Sequence, residues 1–302
     1  MKPVPLPDPV APGATLGVVA PAGSAGPQWV AQVEGWLQAA GFGARVYPGC
    51  HQRDRYLAGP DARRLEDLHA AFADPAVDAI VCLRGGYGSA RLLDRLDADR
   101  VARHPKPFIG YSDITALHAA INPLCGFATW HGPMLTSDLL RDGGEASRAG
   151  WLAALTERWD VGRALPHGGA ALATWVPGRV RAPLAGGNLA TLCSLLGTPW
   201  APDLRGAIVF LEDVGEDLYK LDRLLTQLRL AGALQAAAGF VVGSFSDTPG
   251  GDDPYPLIES FLAPLGKPVL AGWPAGHCTP HWPLPMGAAV ELDAGAQRLG
   301  MG

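Results

Sequence analysis

Four short segments of the chain gather side chains able to do chemistry. The first is Phe108-Ile109-Gly110-Tyr111-Ser112-Asp113. A short apolar run ends at Gly110, and a helix is expected to begin after Ser112. A serine at a strand-to-helix turn holds its hydroxyl exposed, and the free N–H groups of the helix start can stabilise an oxyanion. The match to a nucleophile elbow is partial. Gly110 fills the position two before the serine, but Ile114 occupies the position two after. The plainer alternative is that Ser112 or Asp113 caps the helix. The second segment is Leu83-Arg84-Gly85-Gly86-Tyr87-Gly88-Ser89. Its glycines allow close backbone approach to a ligand and inward-pointing N–H groups. Arg91 stands where a dinucleotide fingerprint needs its third glycine, so phosphate binding has little support. The bland reading of this loop is a tight turn requiring positive φ.

The third segment is Leu211-Glu212-Asp213-Val214-Gly215-Glu216. Glu216 and Asp217 are accounted for as negative charges at a helix N-terminus. Glu212 directly follows an apolar run, so it needs a partner or a solvated crevice. Orienting a catalytic imidazole is one such role, and a structural ion or hydrogen-bond partner is the other. The fourth segment is Gly276-His277-Cys278-Thr279-Pro280-His281-Trp282-Pro283. Its prolines exclude a helix, which spoils the zinc geometry that two histidines four apart would otherwise suggest. His277 can act as a general base from a loop, or simply bond to that loop. No metal is expected. The remaining histidines show no ligand spacing, and Cys82 lies inside an apolar strand, where a thiol is a poor nucleophile.

The elements that must position these groups alternate in type. Strands are expected over residues 15–20, 79–83, 108–110 and 128–130, with helices over 29–40, 61–73 and 90–96. The unbroken apolar run at 79–83 suits a central parallel strand covered on both faces. Beyond residue 158 the chain turns rich in Gly, Pro and Ala, and residues 159–183 read as a linker. A second unit over 184–302 then has helices at 188–196 and 218–231. Its strands are expected at 207–211, 240–243, 269–271 and 288–292. Leu218, Leu221, Leu225 and Leu228 form the stripe of the clearest helix. This alternation argues for an α/β layer with a parallel sheet in residues 1–158. Loops at the carboxyl ends of such strands form the ligand crevice, so the Gly85–Gly86 loop and Ser112 are expected to face each other.

The bulk properties narrow the class of function. The chain has 302 residues, 48% of them hydrophobic and 18% charged, enough to bury a core without staples. Its net charge of −5 and its scattered Lys and Arg give no basic face for nucleic acid. The five cysteines are dispersed with no Cys-x-x-Cys pair, which fits reduced thiols. No apolar stretch has the length of a secretory signal core or a membrane span, so a cytoplasmic protein without membrane partners is expected.

Taken together, the segments resemble the LD-carboxypeptidase family, which also contains the microcin immunity hydrolases. The matching stretches run in family order: Gly17-Val-Val-Ala-Pro-Ala-Gly23, Arg84-Gly-Gly-Tyr-Gly-Ser89, Gly110-Tyr-Ser-Asp-Ile-Thr115, His131-Gly-Pro-Met134, Gly186-Gly-Asn-Leu189, Leu211-Glu-Asp-Val-Gly-Glu216 and Gly276-His277. The resemblance implies an N-terminal parallel-sheet, flavodoxin-like domain and a smaller C-terminal α/β domain, with the active site in the cleft between them. It implies a Ser-His-Glu triad of Ser112, His277 and Glu212, without cofactor. The oxyanion would be held by the N–H groups of Asp113 and Gly86, and Arg84 and Asn188 would contact substrate. The implied substrate is a murein tetrapeptide losing its terminal D-alanine, and the implied assembly is a homodimer. Two alternatives stand beside it: hydrolysis of a peptidyl-nucleotide antibiotic, and a non-enzymatic module binding a phosphate-bearing ligand at the Arg84 loop.

Overall fold

The structure is a computed structural model that describes residues 2–302. The strands are β1 (Thr15–Val19), β2 (Gly43–Val46), β3 (Ala79–Cys82), β4 (Phe108–Gly110), β5 (Thr129–His131), β6 (Ala173–Val176), β7 (Arg179–Asn188), β8 (Ile208–Val214), β9 (Gly239–Ser246), β10 (Val269–Ala271), β11 (Leu284–Met286), β12 (Ala289–Asp293) and β13 (Arg298–Met301). They form two sheets. The first has the order β11-β5-β4-β3-β1-β2 and the second β13-β12-β7-β8-β9-β10-β6. Strands β1 to β5 are all parallel, in the order 2-1-3-4-5 of a flavodoxin-like sheet.

Side-chain alternation explains why helices cover both faces of the first sheet. Leu16 and Val18 of β1 point into one apolar cluster and Val19 into the other, while Ile80 and Cys82 of β3 oppose Ala79 and Val81. The helices Pro27–Ala39 and Asp61–Ala73 fall close to their expected places. In the second unit the helix Leu218–Leu230 buries Leu221, Leu225 and Leu228, with Leu218 only partly covered. Each buried leucine contributes about 1.5–3 kcal/mol of apolar transfer.

Three features depart from the expected layout. Residues 159–183 carry β6 and the start of β7, so that segment is not irregular throughout. β6 is an edge strand with exposed and half-buried residues, and it lacks the apolar run that marks a buried strand. Glu212 lies inside β8, which continues to Val214. Finally, β11 leaves the second unit and pairs antiparallel with β5, matching Leu284 to His131 and Met286 to Thr129. The two units are thereby stitched together. Ala128, Leu284 and Met286 share one apolar cluster with Phe210 and Val241 of the second sheet. The N-terminal arm adds Val4 N–H to Gly287 O at 3.0 Å, and Pro5 O accepts from Ala128 N–H at 2.8 Å.

Candidate active site

Ser112 stands two residues beyond the end of β4, as the first residue of a 3-10 turn that runs into the helix Thr115–Cys125. Its φ is +63°, left-handed backbone that a residue with a side chain adopts only at a cost. Strained backbone at a strand-to-helix turn is the geometry that a nucleophile elbow requires. Serine capping does not account for it, because the Ser112 side chain makes no cap bond. The glycine loop lies directly against it. A Cβ on Gly85 would sit 3.0 Å from Ser112 Cβ and 3.1 Å from Ser112 Oγ, so any larger residue would have to push the serine aside. Among the described residues, no backbone carbonyl accepts from the N–H of Gly86 or of Asp113. Both expected oxyanion donors are therefore unspent.

The Asp113 carboxylate faces the other way. It is 4% exposed and accepts from Ser89 N–H at 2.8 Å, while Ser89 Oγ donates to Asp113 O. Burial pushes its pKa up against the pull of these bonds. Asp113 thus clamps the glycine loop to the serine turn, a role that sequence reasoning did not assign.

Glu212 and His277 meet. His277 Nδ1 and Glu212 Oε2 are 2.7 Å apart, and the same oxygen is 3.3 Å from the His277 backbone N–H. Glu212 is fully buried and His277 is 21% exposed on its side chain. Gly276 makes the approach possible, since its φ is +102° and a Cβ there would lie 2.5 Å from Glu212 Oε2. Burial acts on the imidazole most strongly and downward. The Glu212 hydrogen bond and charge, with help from Asp138, outweigh it and leave the His277 pKa raised above 6.5.

The histidine reaches the serine turn through Tyr111. The Tyr111 and His277 ring centroids are 4.8 Å apart, and Tyr111 precedes Ser112 in the chain. No hydrogen bond joins Ser112 Oγ to His277 among the described residues; such bonds are often long in unliganded sites. The Tyr111 hydroxyl donates to Asp138 Oδ1 at 2.9 Å, and Met134 N–H donates to Asp138 Oδ2 at 2.9 Å. Burial pushes the Asp138 pKa up to about 6. Nothing in the local sequence marks Asp138, which comes from a π-helical turn 26 residues past the serine.

The other expected site residues differ in what they are free to do. Arg84 is half-buried beside the serine turn and donates only to Ser24 O, at 3.1 Å. Asn188 is 6% exposed and its amide is engaged on both sides. Nδ2 donates to Asp213 Oδ1 at 2.9 Å, and Oδ1 caps a helix by accepting from Thr191 N–H at 3.0 Å. Its backbone N–H donates to Thr115 Oγ1 at 3.0 Å, across the two units. Asn188 therefore braces Asp213 and the seam, leaving its amide little capacity for a ligand. The His281 ring is wholly buried against Tyr111 and His131. Among the described residues no group of three His, Cys, Asp or Glu side chains is arranged to hold a metal. No helix among them is long and apolar enough to cross a membrane.

Known proteins resemble this chain in sequence and in fold. The model of the LD-carboxypeptidase N-terminal domain matches residues 16–132, and that of the LD-carboxypeptidase C-terminal domain matches residues 181–292. A probable murein peptide carboxypeptidase of Bacillus subtilis is 37% identical over 93% of this chain and 89% of its own length. The murein tetrapeptide carboxypeptidase of Pseudomonas aeruginosa is 36% identical over 82% of each. Among solved structures, the muramoyltetrapeptide carboxypeptidase of Oxalobacter formigenes superposes with a TM-score of 0.81 at 29% identity, covering 95% of this chain and 97% of that one. The microcin C7 self immunity protein MccF, without ligand, gives 0.87 at 25% identity, covering 99% and 98%. With both family domains matched in order and curated relatives 36–37% identical over most of the chain, the chain belongs to the LD-carboxypeptidase family of serine-type hydrolases.

Proposed function

We propose that the chain is a serine carboxypeptidase that releases the terminal D-alanine from cytoplasmic murein tetrapeptides by cleaving the bond to the L-centre of the third, diamino acid residue. The nucleophile half spans residues 1–158, and residues 184–302 supply Glu212 and His277. His277 Nε2 takes the proton from Ser112 Oγ as that oxygen attacks the scissile carbonyl. Glu212 holds the proton on Nδ1 and stabilises the imidazolium that forms. The N–H groups of Asp113 and Gly86 receive the developing oxyanion. His277 then hands its proton to the departing amine of D-alanine, and water hydrolyses the acyl-serine by the same steps in reverse. The observation that carries this reading is Ser112 at φ +63° on the strand-to-helix turn, next in sequence to the tyrosine that packs on the Glu212-bound His277.

Mass spectrometry of products from a murein tetrapeptide tests it. The unaltered protein should yield tripeptide and D-alanine, and Ser112→Ala should lower kcat by roughly 10³-fold or more while keeping the fold. An unchanged tetrapeptide rejects the proposal. The likeness to MccF favours a second reading, hydrolysis of a peptidyl-nucleotide conjugate. Cleavage of such a conjugate, with the tetrapeptide left intact, selects it.

A further inference from the structure

The order of the first sheet reverses between β1 and β3, the point where ligands enter open α/β sheets, outside the carboxyl ends of the strands. A groove of about 660 Å³ opens there, walled by residues 23–27, residues 50–53 and the glycine loop. Its charged side chains are Arg53 and Arg84, with His51 beside them, and no Asp or Glu lines it. In a chain of net charge −5 this is a local reversal of sign.

Arg84 is the least satisfied of these groups. Its Nη1 donates to Ser24 O, but its Nε is buried with no partner, and no carboxylate pairs with it among the described residues. A half-buried guanidinium whose Nε is buried without a partner favours a charged acceptor. Arg53 is exposed, with Nε on Arg55 O at 2.9 Å. Tyr56 and Tyr87 are 52% and 53% exposed, with centroids 5.9 Å apart and rings tilted by 59°, an amphipathic wall beside the groove. The groove also adjoins the chemistry. Gly86, whose N–H is the expected oxyanion donor, is one of its walls, and Gly85 touches Ser112.

We propose that this groove receives a carboxylate of the substrate peptide, with Arg84 as the main anchor and Arg53 as the second. The inference rests on the peptidase reading above and adds what the enzyme recognises. A carboxylate accepts two parallel N–H bonds from a guanidinium fork, which fixes direction as well as affinity. Held beside Gly86, it aligns the peptide so that the neighbouring carbonyl meets Ser112. The free C-terminus of the leaving alanine and the spare carboxylate of the diamino acid carry the same chemistry.

Calorimetric titration of a murein tetrapeptide into Ser112→Ala protein separates these cases, because no turnover interferes. Arg84→Gln added to that background should weaken binding about tenfold or more, and Arg53→Gln severalfold. Thermal melts should confirm that both remain folded. The loss should vanish for the peptide amidated at one carboxylate. If the C-terminal amide erases it, the anchored group is the leaving alanine; if the amide on the diamino acid erases it, the anchor grips the acyl side. An equal loss for the free acid and for peptides amidated at each of their carboxylates in turn overturns the proposal, as does no loss with either arginine replaced. D-Alanine release by the unaltered protein is read separately. Release without arginine-dependent binding sinks the groove and spares the peptidase; arginine-dependent binding without release does the opposite.

Discussion

At the scale of single residues, the site is governed by one buried carboxylate against one half-buried imidazole. Glu212 Oε2 touches both Nδ1 and the backbone N–H of His277, so it fixes the ring tautomer and the loop at once. Glu212→Gln preserves the size of the group and removes its charge. The expected outcome is a folded protein with kcat lowered on the order of 10⁴-fold, read on tetrapeptide turnover. The pH profile follows from the same pair. In the proposed mechanism His277 must be neutral to accept the Ser112 proton, and Glu212 keeps its pKa above 6.5 in spite of burial. Activity should therefore fall on the acid side with a midpoint above pH 6.5, and an acid limb centred below that value would contradict the geometry. Ser112, Glu212 and His277 were each legible in sequence as polar groups at the ends of apolar runs or in a proline-bounded loop. The pairing of Glu212 with His277 was foreseen only through the family resemblance, because nothing local records that residues 65 positions apart share a hydrogen bond. Asp138 was wholly hidden, since its meaning comes from Tyr111 and His277 and not from its neighbours in the chain.

At the scale of elements, the decisive contact is between two loops that leave adjacent parallel strands, β3 and β4. Parallel pairing puts their carboxyl ends side by side, and the pattern of apolar runs was enough to foresee that the glycine loop and Ser112 would face each other. What the pattern did not contain was the clamp. Asp113 accepts from the wholly buried Ser89, pinning the start of the 3-10 turn Ser89–Arg95 to the start of the serine turn. Asp113→Ala leaves a buried N–H unmatched, which costs about 1–3 kcal/mol. The loss should appear as a lower denaturation midpoint and as reduced kcat, because the glycine loop with the proposed Gly86 donor is no longer pinned to the serine turn. Full stability with full activity would show that the clamp is idle. The strands missed in sequence have two causes. β2, β6, β11 and β13 are short edge strands of three or four residues, and β7, the ten-residue interior strand of the second sheet, is masked by its Arg, Pro and Gly residues. β11 is hardest of all to foresee, because its partner β5 is more than 150 residues away.

At the scale of the whole molecule, the two sheets meet across a seam of buried histidines. His131 packs against Phe210 of the second sheet with centroids 5.0 Å apart, and His118 and His281 flank it at 6.2 and 5.5 Å. All three are essentially without exposure. Burial lowers the pKa of His118 to about 4 and that of His281 to about 3, the latter helped by the charge of His277. A seam built of neutral imidazoles is sensitive to acid in a defined direction. The unfolded chain binds protons on these groups near pH 6.5, and the folded chain resists until far lower, so each contributes stability above pH 6.5 that is lost as the pH falls toward its folded value. Buried Asp138 and Asp213, whose pKa values burial raises to about 6, act oppositely: the folded chain gains stability as they protonate. The net acid response of the molecule is thus a difference of opposing contributions, and a single variant isolates one of them. His118 Nε2 lies 2.9 Å from Gly110 O, a bond that a glutamine amide can also donate. His118→Gln should be less stable than the unaltered protein at pH 7, and the gap should close by up to roughly 3 kcal/mol between pH 6.5 and 4. Denaturant midpoints of the two proteins across that range measure it. A gap that stays constant with pH would mean that His118 takes up its proton as easily in the folded chain as in the unfolded one, and that the seam is open to water.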